Sequence, residues 1–419
     1  MTLSSQSGPV PGAVVIVSLP QGLKWADGST APKSIVTGND GRALLTGSAA
    51  IAGTGRSGTY TLTASSTGAP NAVAPLAVEG STSAIWFSNN ATTASPADSS
   101  GTVKNPVSLA VAGAFVWATN ADGKLYAHTG AADGPWDQVV APGSATKVTA
   151  SQGTNYGLAI IGGDVYRLNG ASTTPDPMPG LPGTPQDIAA SANYAYALMP
   201  DGTWWWRPVL GSTAWVQLTG GAGTYTSINV NEGGGYGWAI GSDGEVYWTA
   251  PGSGFGATAQ PSDPTNVLSQ AVQTAIGASY AYARDTNGAV YSHFGASSST
   301  PWVSMTGLPA AATAIYTNTG GNWVWAVSNG ALYYSGNATS FAPADSAGAL
   351  AAAGGIADVA IGANYAYVKT TDGRWWAKAG AGDGGWHTIS GVPGDEITAL
   401  STNWGDYSWV IAPAVQTCP

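Results

Sequence analysis

Residues 194–205 read YAYALMPDGTWW: an aromatic, a small residue, a second aromatic and another small residue, a turn ending in Gly202, then a strand-like run reaching Trp205. Alternation at period 2 makes each half a half-buried β-strand, and the Asp-Gly between them signals a hairpin. The arrangement returns along the chain. FVWATNADGKLY starts at Phe115, YGLAIIGGDVY at Tyr156, YGWAIGSDGEVY at Tyr236, YAYARDTNGAVY at Tyr280, WVWAVSNGALY at Trp323 and YAYVKTTDGRWW at Tyr365. The aromatics three places after the turn glycines (Tyr126, Tyr166, Trp205, Tyr247, Tyr291, Tyr333, Trp376) are 40, 39, 42, 44, 42 and 43 residues apart.

Such a period, built from paired short strands, is that of a four-stranded propeller blade. The strands are A to D in chain order, and the quoted stretches are B and C. The two ends set the blade count. DYSWVIA, residues 406–412, repeats strand B, and the chain stops before a strand C. AIWFSNNATTASPADSSG, residues 84–101, aligns without gaps to ALYYSGNATSFAPADSAG, residues 331–348, and supplies the missing C and D. The expectation is an all-β, eight-bladed β-propeller closed by N- and C-terminal segments sharing one blade, over residues 81–419. A small N-terminal Ig-like β-sandwich is expected over residues 1–80, where VPGAVVIVSLP and GTYTLTASS alternate between Gly, Pro and Asp turns. The Asp-Gly and Asn-Gly turns are read as type I′, their glycines supplying positive φ.

Composition narrows function. Of 419 residues only 9% are charged and the net charge is −10, so nucleic acid and anionic membranes lack an electrostatic basis for binding. The charge belongs to the ring, at −11 against +1 for the N-terminal segment. No apolar run approaches the ~18 residues of a membrane span, which argues against insertion. The opening, MTLSSQ, reads as a cut through a longer polypeptide. The single cysteine, Cys418, excludes an intrachain disulfide and a thiolate zinc site.

The repeats, with a strand-D Trp in alternate copies (PWDQV, AWVQL, PWVSM, GWHTI) and a Trp-Ala or Tyr-Ala strand B before Asp-Gly, resemble the tectonin repeats of propeller lectins. The N-terminal segment is similar to invasin-type bacterial Ig-like domains. These resemblances imply an extracellular or bacterial cell-surface protein whose partners are glycans or glycoconjugates. The alternative is a non-catalytic protein–protein interaction scaffold or adhesin recognising a protein partner.

Most of the 41 aromatics are framework. Strand B repeats an aromatic at alternate positions (Tyr194 and Tyr196, Tyr236 and Trp238, Tyr280 and Tyr282), and both are read as filling space between blades. Aromatics beyond the template are the candidate sugar-stacking residues: Trp206, Trp248, Tyr334 and Phe87 one place after the strand-C aromatic, and Trp204 and Trp375 one place before it. The strand-D residues Trp136, Trp215, Trp302 and Trp386 join them, as a set occurring four times. No catalytic set stands out. His128, His293 and His387 lie in separate copies and are read as surface polar groups, no GxSxG is present, and no DxDxDG calcium run exists. No cofactor or metal is expected.

Overall fold

In a computed structural model, residues 4–413 are described except 6–7, 20–22, 26–28, 41, 43–50, 54–57, 67–68, 79–82, 171, 231–233, 252–256, 264, 269, 298, 319–320, 393–396 and 403–406. The chain divides into two compact units, one holding the described residues up to Ser83 and the other Ala84–Ala412. The boundary expected near Gly80 and the lone Cys418 lie outside the described residues.

The larger unit is an all-β eight-bladed propeller. Blade 1 is the antiparallel meander Pro106–Val111, Phe115–Asn120, Leu125–Thr129 and Asp137–Gln138. Six further four-stranded meanders follow, blade 7 ending at His387–Thr388. The eighth sheet is discontinuous in sequence. Its order is Ser95–Pro96, Ser83–Ser88, Ser408–Pro413, Ala399–Thr402, so the last strands of the chain are A and B of a blade whose C and D come first. Strand A is innermost: each adjoins strand A of the next blade, and Pro106–Val111 meets Ala399–Thr402 to complete the circle. AB and CD loops therefore sit at one end of the ring, BC hairpins at the other. The helix Ala349–Ala352, four residues in the connection between blades 6 and 7, is too short to cross a membrane.

The hairpins correct the turn assignment at the Asp-Gly copies. In Asn120–Gly123 the amide of Gly123 donates to Asn120 O at 2.9 Å, and only Gly123 has positive φ, 75°. This is a type I turn followed by a left-handed glycine, as three-residue hairpin loops require. The shorter copy at Asn329-Gly330 does have two consecutive positive φ values, 52° and 73°, and is type I′. One residue of loop length decides between them.

The smaller unit holds a four-stranded antiparallel sheet in the order Lys33–Val36, Val14–Ser18, Gly58–Ser66, Ala69–Val78, together with two-stranded pairs. Trp25 is fully buried against Val15, Val17, Leu19 and Ile35, and its Nε1 donates to Ala31 O at 2.6 Å.

Candidate functional site

The four strand-D tryptophans share one arrangement. Each indole Nε1 crosses to the preceding blade and donates to the residue just after that blade's strand-D proline. Trp136 reaches Ala97 O at 2.9 Å, Trp215 reaches Met178 O at 2.8 Å, Trp302 reaches Ser262 Oγ at 3.0 Å and Trp386 reaches Ala344 O at 2.8 Å. The proline-ended D strands of even blades are thus the sockets for tryptophans of odd blades. A strand-C side chain covers each ring from its own blade: His128 stacks on Trp136 at 4.9 Å, Arg207 lies 5.9 Å from Trp215, His293 5.1 Å from Trp302 and Lys378 5.8 Å from Trp386. Desolvation by burial lowers the pKa of Arg207, His293 and Lys378.

The reading of the histidines as surface groups is corrected for two of the three. His128 and His293 are 3% and 1% exposed. Both ring nitrogens of each face backbone carbonyl oxygens, Pro135 and Ala132 for His128, Gly295 and Thr300 for His293, and a neutral imidazole donates to one of the two; Nε2 of His293 also lies 3.0 Å from the Thr300 hydroxyl. Packing onto a buried indole carried them inside, a partner that spacing along one strand does not disclose. His387 is half-buried and bonds Ala91 O at 2.8 Å across the seam with blade 8.

Of the other aromatics singled out in the sequence, Trp204, Trp375, Trp248 and Phe87 are also buried. Trp204 meets Tyr196 and Tyr225 ring to ring, and Phe87 lies 5.5 Å from Trp409. Trp206 and Tyr334 keep part of their surface; Tyr194 packs edge-on to Trp206 at 5.4 Å, and Trp325 lies 5.9 Å from Tyr334. Seven of the ten rings, Trp136, Trp215 and Trp302 included, are therefore enclosed at blade junctions. Their faces are already covered by protein.

The two aromatics of strand B, both read as interblade filling, separate. The second of each pair is buried (Tyr196, Trp238, Tyr282, Trp325, Tyr367, Trp409). The first is not: Tyr194, Tyr280, Trp323 and Tyr365 are partly exposed, Tyr236 is 40% exposed and Tyr407 36%. Phe115 and Tyr156 take the same position in blades 1 and 2, so all eight blades place a partly exposed aromatic there. The cause is position along the strand. The first residue lies at the AB end, where the sheet stops and one ring edge meets solvent. Some still make contacts: the Tyr156 hydroxyl donates to Ser191 O in the next blade, and within blade 5 Phe294, 59% exposed, packs edge-on to Tyr280 at 5.2 Å.

This aromatic rim is nearly free of charge. The described residues of the AB loops include no Asp, Glu, Lys or Arg. At the opposite end, six BC hairpins carry an Asp in or beside the turn: Asp122, Asp164, Asp201, Asp243, Asp285 and Asp372. The carboxylates of Asp201, Asp243, Asp285 and Asp372 hold their turns; Asp201 accepts from Thr203 N at 2.9 Å and its pKa is lowered by that bond. One end of the ring thus gathers the hairpin carboxylates, while the other carries the aromatic rim, with Asp133 and Asp383 in its CD loops.

No family model matches the sequence, and no curated protein matches it either. Solved structures do. Human WBSCR16 is similar with a TM-score of 0.50 at 10% identity, over 80% of this chain and 100% of that one. A computationally designed protein, Ika8, is similar with a TM-score of 0.51 at 14% identity, over 74% of this chain and 96% of that one. The likeness is one of fold. Two chains of such different origin sharing the ring means that architecture alone assigns no activity.

Proposed function

We propose that the protein is a non-catalytic docking ring that binds a protein partner through the aromatic rim at its AB end. One observation carries this reading: eight blades in succession expose part of an aromatic at the same end, on AB loops whose described residues carry no charge. Protein interfaces have that character at their centres, where charged residues are depleted and Tyr, Trp and Phe are enriched. The acidic end lacks it. His128 and His293 pack on indoles and are held away from solvent, which suits framework residues of a non-catalytic ring. The resemblance of the N-terminal segment to invasin-type modules adds an extracellular setting, with that unit as a spacer.

The test is selection of displayed protein fragments on the immobilised full chain, with counter-selection on the triple variant Tyr236→Ala, Phe294→Ala, Tyr407→Ala. Binders enriched on the native chain and lost on the variant, at unchanged melting temperature, support the proposal. Binders indifferent to the variant remove it. A glycan-array signal abolished by the same three substitutions would assign the rim to glycans instead.

A further inference from the structure

Inside the rim, strand A carries a second alternation. Opposite the third residue of strand B, the even blades have Thr149, Asn229, Tyr316 and Ser401, while every odd blade has alanine, Ala275 and Ala360 among them. Small residues on alternate blades leave room, and polar ones line it. A cavity of about 300 Å3 opens there on the ring axis, bounded by strand A of blades 4 to 8 and by Gln152 from the AB loop of blade 2. That is the lower end of the range for ligand pockets, roughly 300–1,000 Å3.

Its chemistry is specific. Among the described residues, no charged side chain lines the cavity. The hydroxyls of Thr274, Tyr316 and Ser401 have no hydrogen-bond partner among the described residues, and none is sealed from solvent. Asn229 is fixed in place, its Nδ2 donating to Thr274 O at 3.0 Å and its Oδ1 accepting from Val230 N at 2.8 Å. Between these groups lie aliphatic walls such as Ile276 and Ile361. Burial raises the Tyr316 pKa, keeping the phenol a donor at neutral pH.

We infer that this axial cavity binds a small uncharged cyclic polyol, taken either free or as the terminal sugar of a chain. A ring with apolar C–H faces and several hydroxyls matches aliphatic walls interleaved with unpartnered hydroxyls. A charged ligand would be desolvated there with no counter-charge. The cavity and the rim are separate sites, and this inference stands without the docking proposal.

The experiment is saturation-transfer NMR on the full chain with myo-inositol, glucose and glucuronate as free probes, alongside surface plasmon resonance on glucose-terminated glycans. Neutral probes should bind and glucuronate should not. Tyr316→Phe, which removes one hydroxyl and keeps the ring, should weaken binding about threefold to tenfold. Ala275→Leu should abolish it by filling the cavity, and the triple rim variant should leave it unchanged. Free probes responding, or only immobilised glycans responding, each with loss in Ala275→Leu, supports the cavity and identifies the source. If Ala275→Leu lowers the melting temperature, Tyr316→Phe decides alone. Silence from every neutral probe, equal binding of glucuronate, or unchanged binding in Tyr316→Phe overturns the inference.

Discussion

The indole of Trp302 donates to the hydroxyl of Ser262 at 3.0 Å across the seam between blades 4 and 5, and that hydroxyl in turn donates to Val246 O at 2.6 Å. In the other three locks the indole goes straight to a carbonyl. Only here does a side chain relay the bond, so the acceptor can be removed without touching the tryptophan.

Ser262→Ala should therefore leave a buried indole N–H unpaired and cost about 1–3 kcal/mol. Trp302→Ala, emptying a large core site, should cost about 3–5 kcal/mol. Equilibrium urea unfolding of the two variants and the native chain measures both. A Ser262→Ala chain as stable as the native one would show that the lock is held by ring packing alone.

Strand B offers a contrast between its first and second aromatics, taken from blades 4 and 5. Tyr236→Ala removes a rim aromatic already 40% exposed and should change stability by less than about 0.5 kcal/mol. Tyr282→Ala removes a fully buried ring whose hydroxyl donates to Asn322 O at 2.6 Å in the next blade, and should cost about 3–5 kcal/mol. Similar losses for both would mean that the rim is part of the core and not a surface.

The buried His293 links stability to pH. Burial lowers its pKa below the ordinary 6.5, so in the window just below 6.5 the unfolded chain binds a proton that the folded chain refuses. Stability should be complete above about pH 6.5 and fall as pH drops toward the folded value. Asp201, whose pKa is lowered, acts at more acidic pH, below its ordinary 3.8. Urea unfolding at pH 7.5 and 5.5 should thus show a loss for the native chain that is smaller in His293→Gln. Identical pH dependence of the two would assign the effect elsewhere.

Closure gives the last prediction. The strand Ser83–Ser88 bonds to Ser408–Pro413, so cutting before Gly101 opens an unpaired edge beside buried Trp409, and deleting from Glu396 onward removes that strand, Trp409 included, and leaves Ser83–Ser88 unpaired. Each truncation should lose the cooperative melting transition. A truncated chain melting like the full one would mean that the remaining blades close without their partner strands.

Much of the fold was written locally. Hairpin turns, period-2 alternation and a spacing near 40 residues announce themselves within a single repeat, because a blade is a meander of neighbours in sequence. The half-blades at the two ends were legible for the same reason, since residues 84–101 align without gaps to residues 331–348 and share Asn-Ala-Thr and Pro-Ala-Asp-Ser with them. The alternation of strand-D tryptophan with proline was also visible. Its meaning was not, because Trp136 and Ala97 lie 39 residues apart and only the ring brings them together.

The sequence by itself determined which residues are aromatic, how often they recur and which strands hold them. The tertiary structure decided which of their faces meet water. Trp204 and Trp248 looked like additions to the template and are interior, whereas Tyr236 and Tyr407 looked like template and stand at the rim. Period 2 puts the first and second aromatics of strand B on the same face of the sheet, but it carries no information about where the sheet ends. Exposure depends on the neighbouring blade and on the height along the strand. The axial cavity follows the same logic: an alanine in one blade becomes an opening only when four other blades arrive around it.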